Sequence, residues 1–210
     1  MGQSVGVNGA RIDGRLLAGF HRDGRAPDDG IRLVDYAESS RTGDWSLRSA
    51  LVRYAQPEPA RASAVLELVR RTDGALKPFA RVLQGTEGAT DPALDAAGFS
   101  SGSFEPSARA RVDARTADLA RVAVRSPEGL DRVLAEYESV SPLADDERTA
   151  VPLLAVAVEL DALGDVLAGW ALDRRQPRPD AEVDAIARRA FAMLGALGVE
   201  RERRPPRRAG

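Results

Sequence analysis

At 210 residues, 43% hydrophobic and 30% charged, the chain has the composition of a globular protein able to bury one sizeable core. It has no cysteine and a single histidine, His21, which excludes disulfides, thiolate catalysis, cysteine-ligated zinc and a multi-histidine metal site within one chain. The net charge of −2 is uneven: residues 201–210 carry five Arg against one Glu, so the rest stands at −6, a balance that does not suit nucleic acid.

Strand character is confined to the first forty residues. Asn8-Gly9 suits a two-residue hairpin turn between Ser4–Val7 and Ala10–Ile12, because both residues tolerate positive φ. Leu16–Phe20 and Ile31–Tyr36 read as two more short strands, with the polar stretch RDGRAPDDG between them as a turn. From Asp44, a candidate cap, the period becomes helical: Leu47, Leu51 and Tyr54 share one face, and Pro57-Glu58-Pro59 breaks the run. Ala62, Val65, Leu66 and Val69 make the next apolar stripe, continued past Gly74 by Leu76, Phe79, Ala80 and Leu83.

Residues 85–110, rich in Gly, Ser, Asp and Pro, predict a connector, with Ser100, Ser101 and Ser103 lacking a nearby base to activate them. Helices resume near Arg115. Ser126-Pro127-Glu128 is a start signal for a helix that buries Leu130, Val133, Leu134 and Tyr137. The next segment opens at Ser141, with Asp145, Asp146 and Glu147 complementing the dipole of its first turns, and Pro152 marks a kink or the true start. Glu159, Asp161 and Asp165 read as a solvated stripe, and Trp45 and Trp170 as core aromatics. Asp180 caps a last helix with Val183, Ile186, Ala190, Leu194 and Leu197 inward, ended by Gly198.

The expected fold is therefore α+β and mostly α: a small N-terminal antiparallel β element (1–42), a helical hairpin (43–84), a flexible connector (85–110), a helical domain (111–200) giving five to seven helices in all, and a disordered basic tail (201–210). The longest apolar run, Val151–Leu163, is interrupted by Glu159 and Asp161 and falls short of the roughly 20 residues of a membrane span. The opening MGQSVGVNGARIDGR does not have the basic-then-apolar pattern of a signal peptide, so a cytoplasmic protein is expected.

One stretch carries more than generic helix. Asp118-Leu119-Ala120, Tyr137-Glu138, Pro142-Leu143, the acidic start at 145–147 and the apolar helix ending at Trp170 follow one another in an order that resembles the C-terminal helical lobe of aminoglycoside phosphotransferase and choline-kinase-like enzymes. The likeness spans about a quarter of the chain. It implies a small-molecule kinase working with MgATP on a hydroxyl substrate, through a loop H-G-D-x-x-x-x-N and a strand ending in I-D-F or I-D-W.

His21 and Asn8 are the only histidine and asparagine, so the intact loop is absent. A degenerate form can be drawn, in which His21-Arg22-Asp23 stands for the loop, with Asp23 accepting the hydroxyl proton. Asp28 then replaces the metal-binding Asn, and Asp35, in Leu33-Val34-Asp35-Tyr36, is the strand-end metal ligand. The 14 residues from His21 to Asp35 leave no room for the strand the family has between the motifs, and the competing reading of 21–30 is a polar turn. A second placement puts the metal ligand at Asp113, just before Asp118-Leu119-Ala120, with no His or Asn preceding it. The function implied is a phosphotransferase-like protein, either a diverged kinase or a catalytically inactive one that needs no cofactor. The alternative is a non-catalytic helical interaction or regulatory module, docking on a protein partner through the Arg-rich tail or an apolar helix face.

Overall fold

Asp13 opens the first helix, α1 (Gly14–Asp23): its carboxylate accepts from the backbone N–H groups of Arg15 and Leu16, satisfying two of the donors that a helix start leaves unpaired. Leu16–Phe20 is thus helical and not a strand. Leu17, Ala18, Phe20 and His21 fall on one buried face, a helical period that outweighs the local strand propensity. The computed structural model describes residues 12–24, 33–37, 45–91, 111–125, 127, 130–173 and 175–199. The expected Asn8-Gly9 hairpin, Asp28, Asp44, Ser100, Ser101, Ser103 and the tail lie outside them.

The chain divides into two compact units, each made of two segments: residues 1–32 with 81–151, and 33–80 with 152–210. The first holds α1, most of α4 (Ala80–Gly85), the strands β1 (Glu87–Thr90) and β2 (Arg111–Ala114), α5 (Thr116–Arg125), α6 (Leu130–Glu138) and the opening turns of α7 (Asp145–Leu172). The second holds a short 3-10 turn at Leu33–Asp35, α2 (Leu47–Tyr54), α3 (Pro59–Leu76), the remainder of α7 and α8 (Asp180–Ala196). The boundary falls at Pro152, inside α7.

The fold is mostly helical with a small two-stranded antiparallel sheet, as the sequence leads one to expect. The sheet, however, is β1 paired with β2, in the register Glu87↔Ala114 to Thr90↔Arg111. It thus lies at the two ends of the Gly/Ser-rich stretch and not among the described residues of 1–42. Four-residue strands are too short to show a clear alternation, so pairing and not pattern reveals them.

In the first unit α1 lies against α6, and Ile12, Leu17, Phe20, Ala89, Leu119, Val122, Val133, Tyr137, Leu143 and Val151 form a shared core. Two glycines allow the closest approaches. A Cβ at Gly14 would come within 2.2 Å of the Val133 carbonyl, and one at Gly88 within 2.8 Å of the His21 carbonyl, so α6 and β1 can press on α1 only without side chains there. In the second unit Leu47, Leu51 and Tyr54 are buried as expected, although the cap of α2 is Ser46, in a reciprocal pair with Ser49. The buried stripe of α3 runs through Leu68 and leaves Leu66 half-buried. Leu197 is exposed, and Gly198 ends α8 with φ of 67°, the left-handed conformation glycine tolerates.

Glu159 departs from the solvated stripe: it is buried and held by Arg189 at 2.8 Å through both oxygens, while Asp165 one and a half turns on is exposed. Trp45 and Trp170 are half-buried, with the Arg53 guanidinium over both rings and Tyr54 edge-on to Trp170.

Candidate functional site

His21 sits near the end of α1, buried, with both ring nitrogens engaged. Nδ1 is 2.8 Å from the Tyr137 hydroxyl on α6, and Nε2 is 3.1 Å from Asp118 Oδ2 on α5. Asp118 is fully enclosed. Its Oδ2 also accepts from the Asp91 backbone N–H at 3.0 Å, and its Oδ1 accepts from Arg121 at 2.5 Å. Burial works to raise the Asp118 pKa, but the hydrogen bond from His21 and the charge of Arg121 outweigh it and hold the carboxyl below its ordinary range. Asp118 is therefore an acceptor only, so Nε2 carries the proton that bridges them. Burial pushes the Tyr137 phenol up to about 12, so Tyr137 keeps its proton and, toward a neutral imidazole, donates it to Nδ1.

Arg121, one turn beyond Asp118 on the same helix, is likewise buried and reaches toward Asp113 Oδ2 at 3.9 Å. One guanidinium thus faces two enclosed carboxylates. Asp113 lies on β2, opposite Gly88, and its Oδ1 accepts from the Ala114 N–H at 2.8 Å.

Beside this cluster the first unit has a half-open cleft of about 440 Å³ lined by His21, Arg22, Gly85, Thr86, Glu87, Gly88, Arg115 and Ser141. Arg115 clasps its rim. Its guanidinium donates to both oxygens of Glu147 at 2.7 and 2.6 Å, to Ser141 Oγ at 2.6 Å and to the Pro142 carbonyl at 2.8 Å. Glu147 is more than dipole complement. It reaches back to the Ala144 N–H from the third position of α7, half of a capping box, while pairing with Arg115 in a buried setting. Burial raises the Glu147 pKa, and Arg115 with the Ala144 N–H overcome it, so the net direction is down. Asp145 and Asp146 are exposed.

The residues expected to do chemistry do not gather here. His21-Arg22-Asp23 forms the end of α1 and no hairpin turn. Asp23 is exposed and bound through both oxygens to its neighbour Arg22, which lowers its pKa through that hydrogen bond. Asp35 stands exposed on the 3-10 turn of the other unit, and Asp28 lies outside the described residues.

A magnesium nucleotide needs carboxylate oxygens free to coordinate. Asp23 is engaged by Arg22, Asp118 by His21, Asp91 and Arg121, and Asp113 is turned to Ala114 and Arg121. Among the described residues no group of three or more His, Cys, Asp or Glu side chains could hold a metal ion. The described donor set does not fit Mg²⁺.

The sequence did signal parts of the real cluster: the sole histidine, the Asp-Leu-Ala opening and Tyr137 all stood out. Arg121, Arg115, Ser141 and the pairing role of Glu147 did not. A spacing of three is that of a helical ion pair, which is the signal that could have found Arg121 beside Asp118, but nothing in one dimension placed His21 against them. Among the described residues no helix is long and apolar enough to cross a membrane. The chain matches no protein-family model, no curated protein and no solved structure.

Proposed function

We propose that the chain is a phosphotransferase-like cytoplasmic protein that binds a small hydroxyl-bearing molecule in the cleft beside His21 and does not transfer phosphate. One observation carries this reading. The stretch whose order of signals resembles the kinase-like helical lobe supplies Asp118 and Tyr137, which hold His21, and Ser141 and Glu147, which hold Arg115, and His21, Arg115 and Ser141 line the cleft. The strand pair supports it further, because β2 carries Asp113 directly into the Asp118-Leu119-Ala120 helix, the order in which the family's strand-end carboxylate would fall. The second placement, at Asp113, therefore suits this fold better than Asp35 does. The loss of transfer rests on the same carboxylates, whose oxygens are given to guanidinium, imidazole and backbone donors.

The test has two arms. A thermal-shift screen of polyols is expected to yield a compound that, at about 100 times its dissociation constant, stabilises by roughly 2.7 kcal/mol, or about 5 to 10 °C. The shift should vanish in Gly85→Trp, which fills the cleft from a position whose Cβ direction is open. No stabilising polyol, or a shift that survives Gly85→Trp, would overturn the binding site. In the second arm, MgATP should give no turnover; turnover lost on Asp35→Ala or Asp113→Ala would restore the kinase. The interaction-module reading has less to stand on, since the exposed large apolar residues described, Val52, Val140, Leu172 and Leu197, are scattered singly along the chain.

A further inference from the structure

The two tryptophans of the chain, Trp45 and Trp170, both belong to the second unit and meet at one arginine. Arg53, in the last turn of α2, lays its guanidinium over both rings, 5.2 Å from the centroid of Trp45 and 6.0 Å from that of Trp170. Trp170 is steadied in turn by Tyr54, edge-on at 5.7 Å, whose hydroxyl donates to Asp180 at 2.6 Å. The other half-buried arginines described in this unit commit their N–H groups to the protein: Arg48 donates to Asp73, Arg61 to Glu58 and Asp184, and Arg71 to the Val199 carbonyl. Arg53 differs. Among the described residues no carboxylate or carbonyl accepts from it, and its nitrogens are open to solvent. Stacking occupies the faces of a guanidinium and leaves its in-plane N–H fork, which matches a carboxylate through two parallel hydrogen bonds. Because two rings already hold the side chain, less rotamer freedom is lost when an anion binds.

We infer that Arg53, Trp45 and Trp170 form a binding site for a small aromatic carboxylate, the guanidinium fork taking the carboxylate and the ligand's ring lying against the indoles. Both tryptophans are half-buried, so part of each indole remains uncovered beside the guanidinium and offers an apolar shelf to a flat ring. The charge selects the anion. A phosphate ester carries more charge than one guanidinium neutralises, and among the described residues no second cation lies over either indole. Tyr54 is a positioning residue: anchored on Asp180, it fixes the ring of Trp170 against which the ligand packs. The site lies wholly in the second unit and uses no residue of the cleft beside His21, so it stands whether or not that cleft binds a polyol.

The experiment is a titration of the isotope-labelled full chain with benzoate, followed by nuclear magnetic resonance. Since the chain has only these two tryptophans, its indole N–H signals report on this site. Both signals are expected to move saturably at millimolar benzoate or below. Arg53→Gln should weaken binding by about tenfold or more, as the charge-assisted hydrogen bonds are lost. Acetate, which lacks the ring, and benzyl alcohol, which lacks the charge, should each bind about tenfold or more weaker than benzoate. Arg53→Lys keeps the charge without the planar fork and should also weaken binding, so it serves as the decisive variant if the spectrum of Arg53→Gln is not that of a folded chain. Arg70→Gln, at an exposed position of α3, should leave the affinity unchanged. No saturable movement in the wild type, undiminished binding in the folded Arg53 variant, equal weakening in Arg70→Gln, or acetate or inorganic phosphate binding as tightly as benzoate would each overturn the proposal.

Discussion

Arg121→Met removes the guanidinium that faces both Asp118 and Asp113 and leaves a side chain of similar length in its place. The three groups are almost sealed from water: Arg121 is 3% exposed, Asp113 1% and Asp118 0%. Deleting one partner of a buried ion pair leaves an uncompensated charge in a poorly polarisable setting, which costs about 3 to 5 kcal/mol. His21 and the Asp91 N–H still serve Asp118, so the lower half of that range is expected. For a protein of about 200 residues each kcal/mol moves the melting temperature by about 2 to 4 °C, giving a fall of roughly 6 to 16 °C. Urea melts at neutral pH measure the loss directly. The same melts at lower pH supply a second check with a definite sign. Without Arg121 part of what depresses the Asp118 pKa is lost, so the penalty is full at neutral pH and shrinks as pH falls and Asp118 protonates. A loss below about 1 kcal/mol, or one that does not change with pH, would refute the assignment of Arg121 as the internal cation of this cluster.

The wild type should behave oppositely in acid: Asp118 and Glu147 are held below their ordinary values of 3.8 and 4.5, so their contribution is present above those values and is lost as pH falls through the depressed ones. Urea melts from pH 7 downward should show this acid limb, and Glu147→Gln should shallow it. Gly88→Ala should cost about 1 to 3 kcal/mol, because its Cβ would lie 2.8 Å from the His21 carbonyl, whereas Gly74→Ala, in open space within α3, should gain up to about 1 kcal/mol by denaturant melts. Arg189→Ala should cost about 1 to 3 kcal/mol by leaving buried Glu159 without its donor, while Asp165→Ala, at an exposed position of the same helix, should stay within about 0.5 kcal/mol.

Helical elements with a long apolar period were legible from the sequence because burial repeats every three or four residues: Leu47, Leu51 and Tyr54 on α2, Val133 and Tyr137 on α6, and Val183, Ile186, Ala190 and Leu194 on α8 are all buried as their spacing required. The class, mostly helical with a small antiparallel sheet, follows from the same signal. Segments of four or five residues lack enough repeats to fix a period. Leu16–Phe20 therefore reads as a strand although Asp13 caps it into a helix, and β1 reads as connector and β2 as the start of the helical domain although the two pair. The candidate site lay beyond reach for a different reason. Local spacing could show that Asp118 and Arg121 share a helix face, but His21 lies 97 residues from Asp118 in the chain and Arg115 lies 32 from Glu147. Only the packing of α1 against α6, permitted by a glycine at position 14, brings the imidazole between a tyrosine and an enclosed carboxylate. Composition and periodicity determined which elements form. Which charges end up buried together was decided by tertiary packing, because pairing energies depend on distance and desolvation, and neither is a property of sequence separation.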